Sequence, residues 1–207
     1  MKSVTTVLIQ FYHTEKAYAV LKGPEQAGAL AGTVAVILAV GWIPLLITGN
    51  TGGAVSSLPF LILMERAILA GAGGVALYAL SYALGYRKSL WHAVSSCILS
   101  MGAFMIMIAL LTLLSDLFSL RSDFTWSIAE FFSGIPESRL SVFLILFLAR
   151  LDLASVVTVF LWGKGISSVW ELKGNTGTRM AWTVYLFGLL MITLPVFLSA
   201  SGSEGMQ

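Results

Sequence analysis

Four ionisable side chains fall inside runs that otherwise belong in hydrocarbon. Glu65 and Arg66 interrupt "LPFLILMERAILAGAGG", and Arg150 and Asp152 interrupt "LSVFLILFLARLDLASVVTVFLWG". A full charge near the centre of a bilayer costs at least about 2.5–3.5 kcal/mol on insertion scales, so each of these groups needs a partner, a wet cavity or a task. Two kinds of chemistry fit them. The structural one pairs opposite charges across helices, Glu65 with Arg150 and Arg66 with Asp152, with Asp116 as an alternative partner for Arg150. The functional one lines a path for a proton or ion, or a polar site for a lipid headgroup, as in a small transporter or channel. Arg150 and Asp152 cannot satisfy each other, because two positions along a helix turn the side chains about 200° apart. The structural reading therefore expects the second apolar segment to pack beside the fourth.

Other chemistry finds little footing. His13, His92 and the lone Cys97 are not spaced to assemble a metal site on one helix face, and one cysteine excludes an internal disulfide framework. The chain has no Gly-x-Ser-x-Gly, no phosphate loop and no paired carboxylates of a hydrolase. The expectation is a protein without catalytic residues, cofactor or metal. A formal charge of +2 gives no footprint for nucleic acid.

The elements that must hold these residues follow from composition. The chain is 57% hydrophobic and only 11% charged, against about 25% charged for a soluble domain. Its mean hydropathy is +0.90. Runs of about 20 apolar residues, the length of a spanning helix, occur at Ala27–Thr48, Leu58–Leu84, His92–Ser115, Ser141–Gly163 and Ala181–Ala200. The expected fold is all-α: a polytopic integral membrane protein with a bundle of five transmembrane helices and an N-terminal interfacial amphipathic helix. Residues 1–24 would form that cytoplasmic helix, 25–200 the five-helix domain and 201–207 a short external tail. Within the first segment Val4, Val7, Leu8, Phe11 and Tyr18 share one helical face, while Gln10, His13 and Lys16 share the other. The segment lacks the apolar core and cleavage site of a signal peptide.

Loop charge sets the expected orientation. One side holds Lys2, Lys16, Lys22, Arg87, Lys88, Lys164, Lys173 and Arg179, and the other only Arg121 and Arg139. The positive-inside rule then puts the amino terminus in the cytoplasm and the carboxyl terminus outside a cell (inner or cytoplasmic) membrane. The same cations would attract anionic headgroups at about 1 kcal/mol each. "GNTGGAVSS" is expected to be a tight hairpin, and "FTWSIAEFF" a half-helix lying in the interface. Small residues in "AGAGGVALYALSYALG" and at Gly28-x-x-x-Gly32 point to close helix packing.

Three stretches carry a family likeness. "TEKAYAVLKGPEQAGALAGTVAVIL" has an interfacial helix with an Ala-aromatic pair leading into the first span. "SYALGYRKSLWHAV" is a short glycine-and-basic turn between the second and third spans. "LDLASVVTVFLWGKGISSV" has an aspartate early in a span that ends in Leu, three residues and Gly. In these the chain resembles the Yip family of membrane proteins, named for interacting with Ypt/Rab GTPases. The resemblance maps the family's aspartate onto Asp152, its leucine onto Leu161 and its glycine onto Gly165. Val157 stands where the family commonly has tryptophan. The likeness implies five spans and a cytoplasmic amino terminus, and partners that are the lipid bilayer and membrane proteins or further copies of itself. Eukaryotic relatives bind prenylated Rab GTPases through a longer cytoplasmic domain, for which the 26 residues before the first span leave no room.

Overall fold

In the computed structural model the described residues are 2–48, 58–86, 88–118, 127, 129 and 139–202. They form eight α-helices and no strand. Two short helices, α1 (Lys2–Ile9) and α2 (Thr14–Ala19), lead through a single 3₁₀ turn at Val20–Lys22 into α3 (Gln26–Thr48). Gly23, extended at φ −112° and ψ 179°, and Pro24 separate the two directions of chain, because proline disfavours helix in the residue before it. There follow α4 (Leu58–Ala83) and α5 (Leu90–Leu117). Gly85 closes α4 at φ +81°, and the Tyr86 amide returns to the Ser81 carbonyl at 2.8 Å, a glycine-type helix stop.

The fourth expected span is two helices rather than one. α6 (Arg139–Ala149) stops before Arg150, and α7 (Leu153–Trp170) starts after Asp152. The apolar run through both is continuous in composition, yet the backbone breaks in its middle. Lys164, expected in a cytoplasmic loop, sits within α7 with its ammonium 4.6 Å from the centre of the Phe160 ring. The last helix, α8 (Thr176–Gly202), runs through Pro195.

Among the described residues three helices are long and apolar enough to cross a membrane: Leu90–Ser115 in α5, Leu153–Trp170 in α7 and Thr176–Pro195 in α8. In α3 and α4 the described apolar stretches are Gln26–Val40 and Ala67–Ala83. Large apolar side chains face outward, among them Leu117 on α5, Ile68 on α4 and Phe187 on α8, a surface suited to hydrocarbon and not to water.

α5 is the axis of the bundle. It packs on α4, α7 and α3, while α8 packs on α7 and α4. Among the described residues α4 makes no broad contact with α7, although the charge-pair reading expected the second segment to pack beside the fourth. α5 and α8 are the neighbours of both, and the tip of Trp162 reaches across toward Gly73. Glycine sets how near α4 and α5 come: a Cβ on Gly74 would stand 2.6 Å from the Val94 Cα, and one on Gly73 3.1 Å from Cys97 Sγ. Gly28, in contrast, has open space around it.

The amino-terminal segment is packed into the bundle. α1 lies on α3 and α5, and α2 lies on α7. Val7, Gln10, Ala17, Tyr18 and Leu21 are buried, whereas Leu8 is 49% exposed. Gln10 was expected on a solvated face, and its burial has a physical reason. Its amide nitrogen donates to the carbonyls of Val7 (3.1 Å) and Leu99 (3.3 Å), and a partnered amide no longer needs water. The expected hairpin at "GNTGGAVSS" and most of "FTWSIAEFF" lie outside the described residues.

Candidate functional site

The two charges in "FLARLDLAS" occupy the interruption between α6 and α7. Asp152 is extended, at φ −84° and ψ 163°, and its carboxylate accepts the amide hydrogen of Ser155 at 2.6 Å. That is an N-cap: the free amides of the first turn find an acceptor, and a negative charge meets the positive end of the helix. The Val156 amide closes the first turn onto the Asp152 carbonyl at 3.0 Å. Asp152 also forms an isolated antiparallel β-bridge with the buried Ser127, from the stretch between α5 and α6. On the other side of the break, the Arg150 carbonyl at the end of α6 accepts the Tyr185 hydroxyl of α8 at 2.8 Å. The Arg150 side chain is exposed.

Two of the backbone groups freed by the break, the Ser155 amide and the Arg150 carbonyl, therefore have side-chain partners, Asp152 and Tyr185. This matters because an unpaired amide or carbonyl at membrane depth costs several kcal/mol. Asp152 is spent on this task, so its position in the run answers to helix geometry. Glu65 and Arg66 lie toward the start of α4 and Asp116 in the last turn of α5, but their side chains lie outside the described residues, as do the Glu65–Arg150 and Arg66–Asp152 pairs. Among the described residues the only ion pair is Lys22–Glu171.

A cap predicts a graded response to substitution. Asp152→Ala should destabilise the folded protein by about 1 kcal/mol, and Asp152→Asn or Asp152→Ser should recover most of it, since both side chains also cap. The thermal midpoint in detergent is the check. A loss of about 3–5 kcal/mol that Asn fails to rescue would instead indicate a buried ion pair.

The other two positions of the family likeness lie deeper. Leu161 is 7% exposed in the core, and Gly165 is the floor on which the Tyr18 ring rests. A Cβ on Gly165 would collide with Cδ1, Cε1 and Cγ of that ring. The Ala17-Tyr18 pair and the Leu161-x-x-x-Gly165 stretch, far apart in sequence, thus meet in the fold. Around them α5 offers a polar stripe. Trp162 Nε1 donates to the Ser96 hydroxyl at 3.1 Å, and Ser96 donates onward to the Ala93 carbonyl at 2.8 Å. Gln26 Nε2 donates to the Ser95 hydroxyl at 3.0 Å. Tyr18 is fully buried beside Ser100 and Cys97.

At one end of the bundle Lys22 reaches Glu171 at 2.6 Å. The hydrogen bond and charge of Lys22, helped by the charge of Lys88, hold the Glu171 carboxyl below the usual range. The 3₁₀ turn, the α4–α5 turn and the α7–α8 turn therefore share that end. Glu171 stops α7 at φ +55°, with the Leu172 amide returning to the Ser167 carbonyl at 2.9 Å. This is the stop that Gly85 makes for α4, built with a residue that adopts positive φ less readily. Sequence reasoning missed Ser96, Ser155, Trp162, Glu171 and Tyr185. Only Ser155 had a signal, the Asp-x-x-Ser spacing of a helix start.

No group of three or more His, Cys, Asp or Glu side chains among the described residues could hold a metal ion. No family model, curated protein or solved structure matches the chain.

Proposed function

We propose that the chain is a five-span protein of the cell membrane that works without catalysis, packing its helices against a partner membrane protein or a second copy in the manner of a Yip-type protein. One observation carries the reading: α4 has small residues on two faces. On the inner face Gly73 and Gly74 meet α5, and Ala70 is buried. On the outer face Gly71 has no neighbour within 4 Å, and Ala72, Ala79 and Ala83 are exposed. Lipid tails gain nothing from small side chains, whereas a second helix gains close backbone approach.

The contact of Tyr18 with Gly165 supports the family likeness, since it joins two of the three stretches that carry it. The clustering of Lys22 and Lys88 about Glu171 at one end supports an orientation with that end in the cytoplasm. A small transporter or channel is the competing reading, and the interrupted helix speaks for it. We favour the first reading because Asp152 and the Arg150 carbonyl are already engaged at that interruption.

The test is site-specific photo-crosslinking in native membranes, with the probe at exposed Val75 or Ala79 and buried Leu77 as the control. The expected result is a discrete protein adduct, homodimer or heterodimer, from the two exposed sites only. Lipid adducts alone at Val75 and Ala79 would remove the support for a protein partner at this face.

A further inference from the structure

We infer that Lys22 and Lys88 form a docking site for the phosphate of an anionic phospholipid, at the end of the bundle where α3, α5 and α8 begin. The site rests on the chain being a membrane protein, and on neither the five-span nor the Yip-type reading. Gln26 Nε2 donates to the Ser95 hydroxyl at 3.0 Å, which ties the first turn of α3 to the start of α5. Lys22 stands just before α3, and Lys88 just before α5. Lys22 reaches across to Glu171, beyond the end of α7, at 2.6 Å, and the charge of Lys88 acts on the same carboxylate. Two ammonium groups from different turns thus converge on one anionic point.

The surroundings select a lipid over a soluble anion. Tyr82 and Leu84 precede Lys88 at the end of α4, and Leu90 and Trp91 follow it at the start of α5. All four are exposed, Trp91 by 56% and Tyr82 by 64%. An exposed cation bracketed by exposed aromatic and aliphatic side chains matches the boundary between headgroups and hydrocarbon, where Trp and Tyr concentrate. A phospholipid meets both halves of that surface, its phosphate on the lysines and its chains against the apolar side chains. Charge agrees in sign: in these turns and the first turn of α8, Lys22, Lys88, Lys173 and Arg179 outnumber Glu25 and Glu171 among the described residues.

Glu171 is the resident anion that the phosphate displaces. Its side chain is 79% exposed, and an ion pair so open to water is exchanged at little cost. A phosphate offers more acceptor oxygens than a carboxylate and takes charge-assisted hydrogen bonds from both ammonium groups at once. The helix stop holds the carboxylate in place: Glu171 sits at φ +55°, with the Leu172 amide on the Ser167 carbonyl and the Thr176 hydroxyl on the Lys173 carbonyl at 2.9 Å each. The turn that presents this anion is therefore fixed by its own bonds, and losing the Lys22 contact does not undo it.

Native mass spectrometry of the full chain, released from nanodiscs of mixed phosphatidylglycerol and phosphatidylcholine, tests the site. Phosphatidylglycerol should be retained in preference. Lys22→Gln and Lys88→Gln should each lower its retention about fivefold, the effect of one cation at a membrane surface. Lys164→Gln, an equal loss of charge within α7, should lower it by less than about twofold. Glu171→Gln should raise retention, and Glu25→Gln, an equal change of charge in the turn before α3, should raise it less. Inorganic phosphate in excess should leave the lipid bound. Equal retention of the two lipids, or equal effects of the three lysine substitutions, would overturn the site in favour of diffuse attraction. A fall in retention with Glu171→Gln would overturn the displacement, and stripping of the lipid by inorganic phosphate would make a free anion the ligand. In each of these cases a chain that still enters the nanodisc keeps its membrane reading, whereas one that does not enter loses both.

Discussion

Gly163→Ala is expected to abolish most of the folded protein, an effect far beyond the size of one methyl group. A Cβ at this position would strike the Cα of Thr178 and stand 3.0 Å from its amide nitrogen. Both obstacles are backbone, so no change of rotamer relieves them. Across the contact, a Cβ on Gly177 would lie 2.6 Å from the Gly163 carbonyl, so α7 and α8 touch main chain to main chain from both sides. Separating them would disturb the packing of buried Ile166, Met180 and Ala181 as well. Overpacking typically costs about 1–3 kcal/mol and more where the backbone must move, so about 3 kcal/mol or more is expected here. Gly71→Ala is the matched control, because nothing lies within 4 Å of it. In a helix that change removes the flexibility of glycine and should be neutral or stabilising by up to about 1 kcal/mol. Monodisperse yield and thermal midpoint after extraction distinguish the two, and equal stability of Gly163→Ala and wild type would refute the close approach of α7 and α8.

Trp162→Ala is expected to come next in severity. The side chain is 5% exposed, donates to Ser96 on α5 and extends toward Gly73 on α4, so it ties three helices together. Truncating a buried tryptophan costs about 3–5 kcal/mol through lost contact and the cavity left behind. Trp162→Phe keeps most of the volume and loses one hydrogen bond, worth about 1 kcal/mol. Ser96 would keep its bond to the Ala93 carbonyl, so no hydroxyl donor is stranded. The order wild type, Trp162→Phe, Trp162→Ala in unfolding midpoint is the expected outcome. A phenylalanine variant as unstable as the alanine one would mean that the indole hydrogen bond, and not packing, dominates.

Apolar run length alone made α3, α4, α5 and α8 legible, because a helix that closes its own backbone bonds needs no other instruction. The break between α6 and α7 was not legible that way. Hydropathy counts composition, and Leu151 and Leu153 are as apolar as their neighbours, while the stop is written in the Asp152 cap and in a Tyr185 contact 35 residues away. The amino-terminal segment misled for a related reason. Periodicity placed Gln10 on a wet face, and its partner, the Leu99 carbonyl, is 89 residues distant. Small-residue density announced close packing on α4 but could not say that Gly73 and Gly74 turn inward while Gly71 does not. That division depends on where α5 lies, and no local pattern encodes it.

The interruption at Leu151 also bears on the order in which the chain is made. Among the described residues α6 rests on α8, and its terminal carbonyl is closed by Tyr185 of the same helix. A growing chain exposes α6 first, then α7, and completes α8 last. Until that final stretch leaves the ribosome, α6 lacks the helix it rests on among the described residues, and at 11 residues it is about 16 Å long, too short to settle across a bilayer by itself. A nascent chain stalled before Tyr185 would hold the earlier helices in place and leave α6 waiting, which makes the carboxyl-terminal helix the piece that completes assembly.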